Sequence, residues 1–223
     1  KGAPDMDESK KDAVSDAICV IAFAVLLILT IRSYFFEDRL GYQLNTGLFT
    51  SIFCLVPMIF RRAKIMKLPM LFVLIIEVAI FLHGYGVLFM QYDDLLWYDS
   101  VTHTVSSVVV GLCVFYALMV VDGHDKKVRL GKRGLSIFIV LVMLALSVYW
   151  EVFELVVDVI SGTNMQYSPF DTMRDMLSNT LGGIVVALYV RWFMGRHPDY
   201  DAAKEFRLHP GLTKLAGHIH RTE

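Results

Sequence analysis

The sequence predicts an all-α, polytopic transmembrane helical bundle of about six spans, with both termini in the cytoplasm. Three observations carry that reading. The 223 residues are 56% hydrophobic, with a mean hydropathy of +0.54, against about 45–50% apolar residues in soluble domains. The excess is gathered into runs of about twenty residues, the length that crosses a hydrocarbon core as a helix. Lys and Arg are crowded into alternate loops, as the positive-inside rule requires.

Taken in order, residues 1–16, "KGAPDMDESKKDAVSD", have no apolar core and predict a mobile polar tail rather than a signal peptide. The first span is expected at 17–36. The second, 46–60, is short and carries Pro57, which predicts a kinked, tilted or only partly spanning helix. Four longer spans follow at 69–90, 99–121, 135–160 and 171–194. Residues 17–194 then form one transmembrane domain and 195–223 a cytoplasmic tail.

The loops orient these spans. "RRAKIMK" follows the second and "DGHDKKVRLGKR" the fourth, and the tail adds Arg196, Lys204, Arg207, Lys214 and Arg221. "QYDDLLWY" and "SGTNMQYSPF" contain no Lys or Arg. The basic loops and both termini are therefore placed in the cytoplasm of a multi-pass cell-membrane protein. Trp97 and Tyr98 suit an outer aromatic belt, and Trp192 an inner one. A basic face beside a membrane points to topology and anionic-lipid contact and to no nucleic-acid partner; the net charge of −1 by itself argues neither way. Cys19, Cys54 and Cys113 each stand alone in apolar runs, which predicts buried core residues rather than a zinc or redox pair.

The polar residues inside the spans fall into one layer. At about 1.5 Å of rise per residue, Glu151 lies roughly 5 Å outward of the middle of the fifth span and Glu154 roughly 10 Å. His103 comes out roughly 10 Å outward in the fourth span, Asp175 roughly 11 Å and Asn179 roughly 5 Å in the sixth, and His83 roughly 5 Å in the third. Faces agree with depth. Glu151, Glu154 and Asp158 share one side of a helix, as do Asp171, Asp175 and Asn179, and as do Asp99 and His103. A charged residue at the centre of a span costs about 2.5–3.5 kcal/mol on insertion scales. Six carboxylates in this slab meet only Arg174 and whatever charge the histidines carry, and the simplest missing partner is a bound divalent metal ion. Asp99 and Asp171, at helix starts, also suit ordinary capping.

The blocks "WYDSVTHTVSS", "WEVFELVVD" and "SPFDTMRDMLSNTLGG" resemble bacterial multi-spanning membrane proteins of the YjdF type. The likeness covers roughly residues 69–194 and leaves the first two spans and the tail outside. It implies a helical integral membrane protein whose acidic and histidine positions fall in the motif blocks, and it supplies no reaction. No H-E-x-x-H, Walker A or G-x-S-x-G motif is present.

Three functions stay open at this point. The leading one is a metal-dependent intramembrane hydrolase or transferase acting on a lipid-like substrate. In it His103, Glu151, Glu154 and Asp175, with Asp99, Asp158 and Asp171 in the same acidic set, hold one or two ions, and Glu151 and Asp175 act in catalysis. Arg174, Asn179 and His83 would contact the substrate, Arg174 as the grip on a polar head group. An ion or proton-coupled transporter needs polar groups on both sides of the membrane. Glu77 is the inner-half candidate, and a homo-oligomer would supply the rest of the path. A metal-stabilised scaffold or receptor is the third.

Overall fold

The computed structural model describes residues 7–36, 41–124 and 131–218, and every regular element among them is a helix. The helices are α1 (Glu8–Phe36), α2 (Tyr42–Phe53), α3 (Val56–Arg62), α4 (Met70–Leu88), α5 (Gln91–Asp94), α6 (Leu96–His124), α7 (Lys132–Ser161), α8 (Pro169–Arg196), α9 (Ala202–Glu205) and α10 (Pro210–His218). Six segments are long and apolar enough to cross a membrane: Glu8–Phe36, Tyr42–Arg62, Met70–Leu88, Trp97–Asp122, Lys132–Ile160 and Pro169–Arg196. Residues 1–6 of the expected tail, 125–130 of the second basic loop and 219–223 of the C-terminal tail lie outside the described residues.

The chain falls into two compact units, Lys1–Tyr98 with Lys204–His209, and Asp99–Ala203 with Pro210–Glu223. In the first, α1, α2 and α4 pack on one another. Small residues at the crossings make this possible: a Cβ on Gly84 would come within 2.6 Å of Thr50 Oγ1 and 3.1 Å of Leu26 Cδ2. The second expected span divides at Cys54–Leu55 into α2 and α3, with Pro57 in the first turn of α3. Proline has no N–H to continue the ladder and is tolerated in a first turn. Together the two pieces form a candidate span of 21 residues.

The largest departure from expectation is at the N-terminus. Residues 8–16, predicted as part of a mobile tail, are the opening turns of α1. Their acids are held by basic residues in the last turn of α3 and just after it. Lys67 Nζ lies 2.7 Å from Glu8 and 2.6 Å from Asp12, and Asp16 pairs with Arg61 and, at 3.0 Å, with Arg62. Burial works against the Lys67 ammonium, but Asp12 and Glu8 outweigh it and hold its pKa above the ordinary value. Hydropathy does not register such turns, because charge rather than apolar surface stabilises them. Tyr98, expected in an interfacial belt, is buried and donates from its hydroxyl to the Leu82 carbonyl at 2.6 Å, whereas Trp97 is exposed. Cys19 and Cys54 are buried as expected, but Cys113 is exposed.

The second unit is organised by α8. It runs antiparallel to α7 and parallel to α6, so the starts of α6 and α8 meet the last turns of α7 at one end. Gly182 lies against α6, where a Cβ would come within 2.6 Å of Ser107 Cβ and 2.8 Å of the Thr104 carbonyl oxygen. Gly183 lies against α7, 2.9 Å from Met143 Cβ by the same measure. Adjacent glycines on α8 thus admit a neighbour on each side.

Candidate metal centre

The helix ends that form the site are set by local sequence. Ser168 caps α8, accepting from the Asp171 N–H at 3.1 Å, and Pro169 follows in the first turn. This fixes Asp171 and, one turn on, Asp175 at the head of the helix. Helix α7 ends on Gly162 at φ 64°, a conformation natural to glycine, with its N–H donating to the Asp158 carbonyl at 2.9 Å.

The loop back to α8 is tied down by Asp158. Its Oδ1 accepts from Thr163 Oγ1 and the Met165 N–H, both at 2.7 Å, and its Oδ2 from the Gln166 N–H at 2.9 Å. Asp158, expected as a metal ligand, therefore spends both oxygens on the loop. Gln166 Nε2 donates to the Glu151 carbonyl at 2.8 Å and lies 3.5 Å from its Oε2.

The centre itself is Asp99, His103 and Asp175. One donor atom from each lies within 4.8 Å of the others. His103 Nε2 is 3.2 Å from Asp99 Oδ1 and 4.0 Å from Asp175 Oδ2. Asp99 and Asp175 are buried and His103 is largely so. The imidazole is oriented from behind: its Nδ1 is 3.2 Å from Asn179 Oδ1, and its Nε2 is turned to the carboxylates. Asn179 is held in turn by Ser107 Oγ, donating to its Oδ1 at 2.7 Å, and donates from Nδ2 to Ser147 Oγ at 2.9 Å. It thus links α6, α7 and α8 through buried hydrogen bonds. The sequence placed Asn179 on substrate; its contacts here are to His103, Ser107 and Ser147.

Arg174 stands beside the centre. It pairs with Asp171, lies 3.4 Å from Asp99 Oδ2, and approaches Asp175 Oδ1 with Nε at 3.9 Å. Glu154 is buried and accepts from Trp150 Nε1 on its own helix at 2.8 Å. Glu151 is buried with Oε1 free of any hydrogen bond, as is Asp175 Oδ1. Of the predicted ligands, Asp99, His103 and Asp175 lie together, and Glu151 and Glu154 are buried on α7 outside that group. His83 belongs to the first unit, where its Nδ1 is 3.0 Å from Tyr92 Oη. Ser107 continues the Asp99 and His103 side of α6, a signal the spacing carried, but the supporting roles of Ser147, Trp150 and Gln166 had no distinct signal in the sequence, since single hydroxyls, amides and aromatics are common.

A family model described as a predicted membrane protein, DUF2238, matches residues 16–196. The chain belongs to this family. The DUF2238 match takes in the first two spans, which the sequence resemblance had left outside, and every residue of the centre. No curated protein and no solved structure matches the chain. The family description agrees with the six candidate spans and identifies a multi-pass membrane protein.

Proposed function

We propose that this protein binds a divalent cation between Asp99, His103 and Asp175 and uses it on a lipid-like substrate. One observation carries the reading: two carboxylates and an oriented imidazole from two helices present donor atoms within 4.8 Å of one another, buried at the end of a membrane helix unit. Mixed Asp and His donors suit first-row divalent ions such as Mn²⁺, Fe²⁺ or Zn²⁺. A bound ion supplies Lewis acidity or an activated water. Glu151, buried on α7 with one oxygen free of hydrogen bonds, adds an acid beside the centre, and Arg174 is the one placed to hold an anionic head group. The narrower family reading is the YjdF type, to which the blocks "WYDSVTHTVSS" and "WEVFELVVD" are similar.

Calorimetric titration of the detergent-solubilised protein with Mn²⁺ tests the binding. Saturable uptake is expected in the wild type. Asp99→Asn should weaken it at least tenfold, and Asn179→Leu, which frees the imidazole, about 10–100-fold, the range seen when outer-shell partners of metal ligands are lost. Equal uptake by all three proteins would reject the site.

The proposed orientation puts both termini in the cytoplasm and the α7–α8 loop, with the centre near it, on the outer side. A cysteine at Asn164, in a background without Cys19, Cys54 and Cys113, should react with an impermeant thiol reagent applied to intact cells. Reaction only after the cells are opened would invert the orientation. A second reading, ion or proton transport, draws on Glu77, whose carboxyl is buried on α4. Flux into sealed vesicles that depends on both Glu77 and Glu151 would favour it over the enzyme.

A further inference from the structure

The seam between α7 and α8 keeps a constant register. Met143 meets Gly183, and one turn further along α7, one turn back along α8, Ser147 meets Asn179 at 2.9 Å. The next step brings Glu151 opposite Asp175. Both side chains are almost fully buried, at 5% and 2% exposed, and each keeps one oxygen, Glu151 Oε1 and Asp175 Oδ1, with no hydrogen bond. The other oxygen of each is engaged elsewhere: Asp175 Oδ2 faces His103, and Glu151 Oε2 faces Gln166. Two buried carboxylates thus stand at opposed positions of the helix seam, each with one oxygen that has no hydrogen bond. That is an expensive arrangement for anions and a ready one for a cation.

From this pairing we infer that the protein holds a second divalent cation between Glu151 and Asp175, with Asp175 bridging the two ions. The inference rests on the reading of Asp99, His103 and Asp175 as the first site. Asp175 is placed to bridge, because its Oδ2 lies 4.0 Å from His103 on α6 while its position on α8 is opposite Glu151 on α7. Carboxylate-bridged ions lie about 3.5–4 Å apart, close enough to clamp one substrate oxygen between them. Charge points the same way. Five buried carboxylates, Asp99, Glu151, Glu154, Asp171 and Asp175, belong to this end of the unit, where the guanidinium of Arg174 meets Asp99, Asp171 and Asp175, with Asp158 turned away to the loop. With a neutral His103 as ligand the cluster carries four negative charges. One divalent ion halves them and two neutralise them. A two-ion centre with an arginine beside it suits a phosphate ester, so the substrate class is a phosphorylated lipid.

Mn²⁺ stoichiometry and electron paramagnetic resonance on the full chain in detergent test the inference. The wild type should bind two Mn²⁺ per chain at saturation and give the broadened spectrum of exchange-coupled ions. Glu151→Gln, which keeps the side-chain shape, should bind one, with the spectrum of an isolated ion. Its helical circular dichroism and gel-filtration volume should be unchanged. One ion in both proteins would overturn the second site and leave the first standing, with Glu151 and Asp175 sharing a proton instead. No ion in either would remove both. Loss of both ions from a normally folded Glu151→Gln protein would also overturn the second site as a separate position, since Glu151 would then belong to the first.

Discussion

Chelation of divalent metal should lower the thermal midpoint of the purified protein by roughly 5–10 °C. A ligand held only by the folded state stabilises it by mass action, about 2.7 kcal/mol when the free ion is one hundred times its dissociation constant. In a chain of this size each kcal/mol moves the midpoint by about 2–4 °C. The sign follows from the charges. Without metal, Asp99, Asp171, Asp175, Glu151 and Glu154 repel one another in a site from which water is largely excluded. The double change Glu151→Gln with Asp175→Asn should abolish the response to chelator, because it removes both the bridging carboxylate and the facing one. It should also make the metal-free protein more stable than the metal-free wild type, since two repelling charges are gone. A midpoint in chelator that is the same for both proteins would place the stabilisation elsewhere.

Replacing Arg174 should have the opposite pattern. Its guanidinium pairs with Asp171 and lies 3.4 Å from Asp99 and 3.9 Å from Asp175. Removing one partner of a buried pair costs about 3–5 kcal/mol, because the other charge is left uncompensated. The Arg174 side chain is 28% exposed, so water softens the loss to about 2–3 kcal/mol. Arg174→Met keeps much of the apolar stem and should lower the midpoint by roughly 5–10 °C in chelator. Saturating metal should recover much of that drop, since the ion then supplies the missing positive charge. The same variant should bind the ion more tightly than the wild type, and should lose affinity for phosphorylated lipid. An equal drop with and without metal would show that Arg174 and the ion do not share the same carboxylates.

Much of this architecture was legible in the sequence, for a physical reason. A membrane span must be apolar along its whole length, so hydropathy alone located all six. It did not locate the first two turns of α1, which are held by Lys67, Arg61 and Arg62 rather than by burial of apolar surface. It also did not find α9 and α10, which are too short for hydropathy to mark. The break between α2 and α3 was foreshadowed by Pro57, because proline has no N–H to bond the carbonyl one turn back and so suits a helix start.

The site was legible in kind more than in detail. Carboxylates are costly in lipid, so Glu151, Glu154, Asp175 and their neighbours announced a polar centre without any knowledge of packing. Which of them meet His103 depends on how α6 and α8 are rotated against each other. That is decided by the Gly182 contact and the Ser107–Asn179–Ser147 bridge. Those contacts bring Asp99, on the same face of α6 as His103, to Asp175, and leave Glu151 opposite on α7. Asp158 shares the spacing of a ligand with Glu151 and Glu154, but its fate is set by Gly162. The turn there folds the backbone of Met165 and Gln166 onto its carboxylate.

Elemental analysis of the protein purified from its membrane without added metal tests the central claim most directly. The account predicts a stoichiometric first-row divalent metal in the wild type and none in Asp175→Asn purified in parallel. A wild-type protein that is folded, stable in chelator and free of metal would contradict it, and would mean that the buried acids of this centre are paired through shared protons instead.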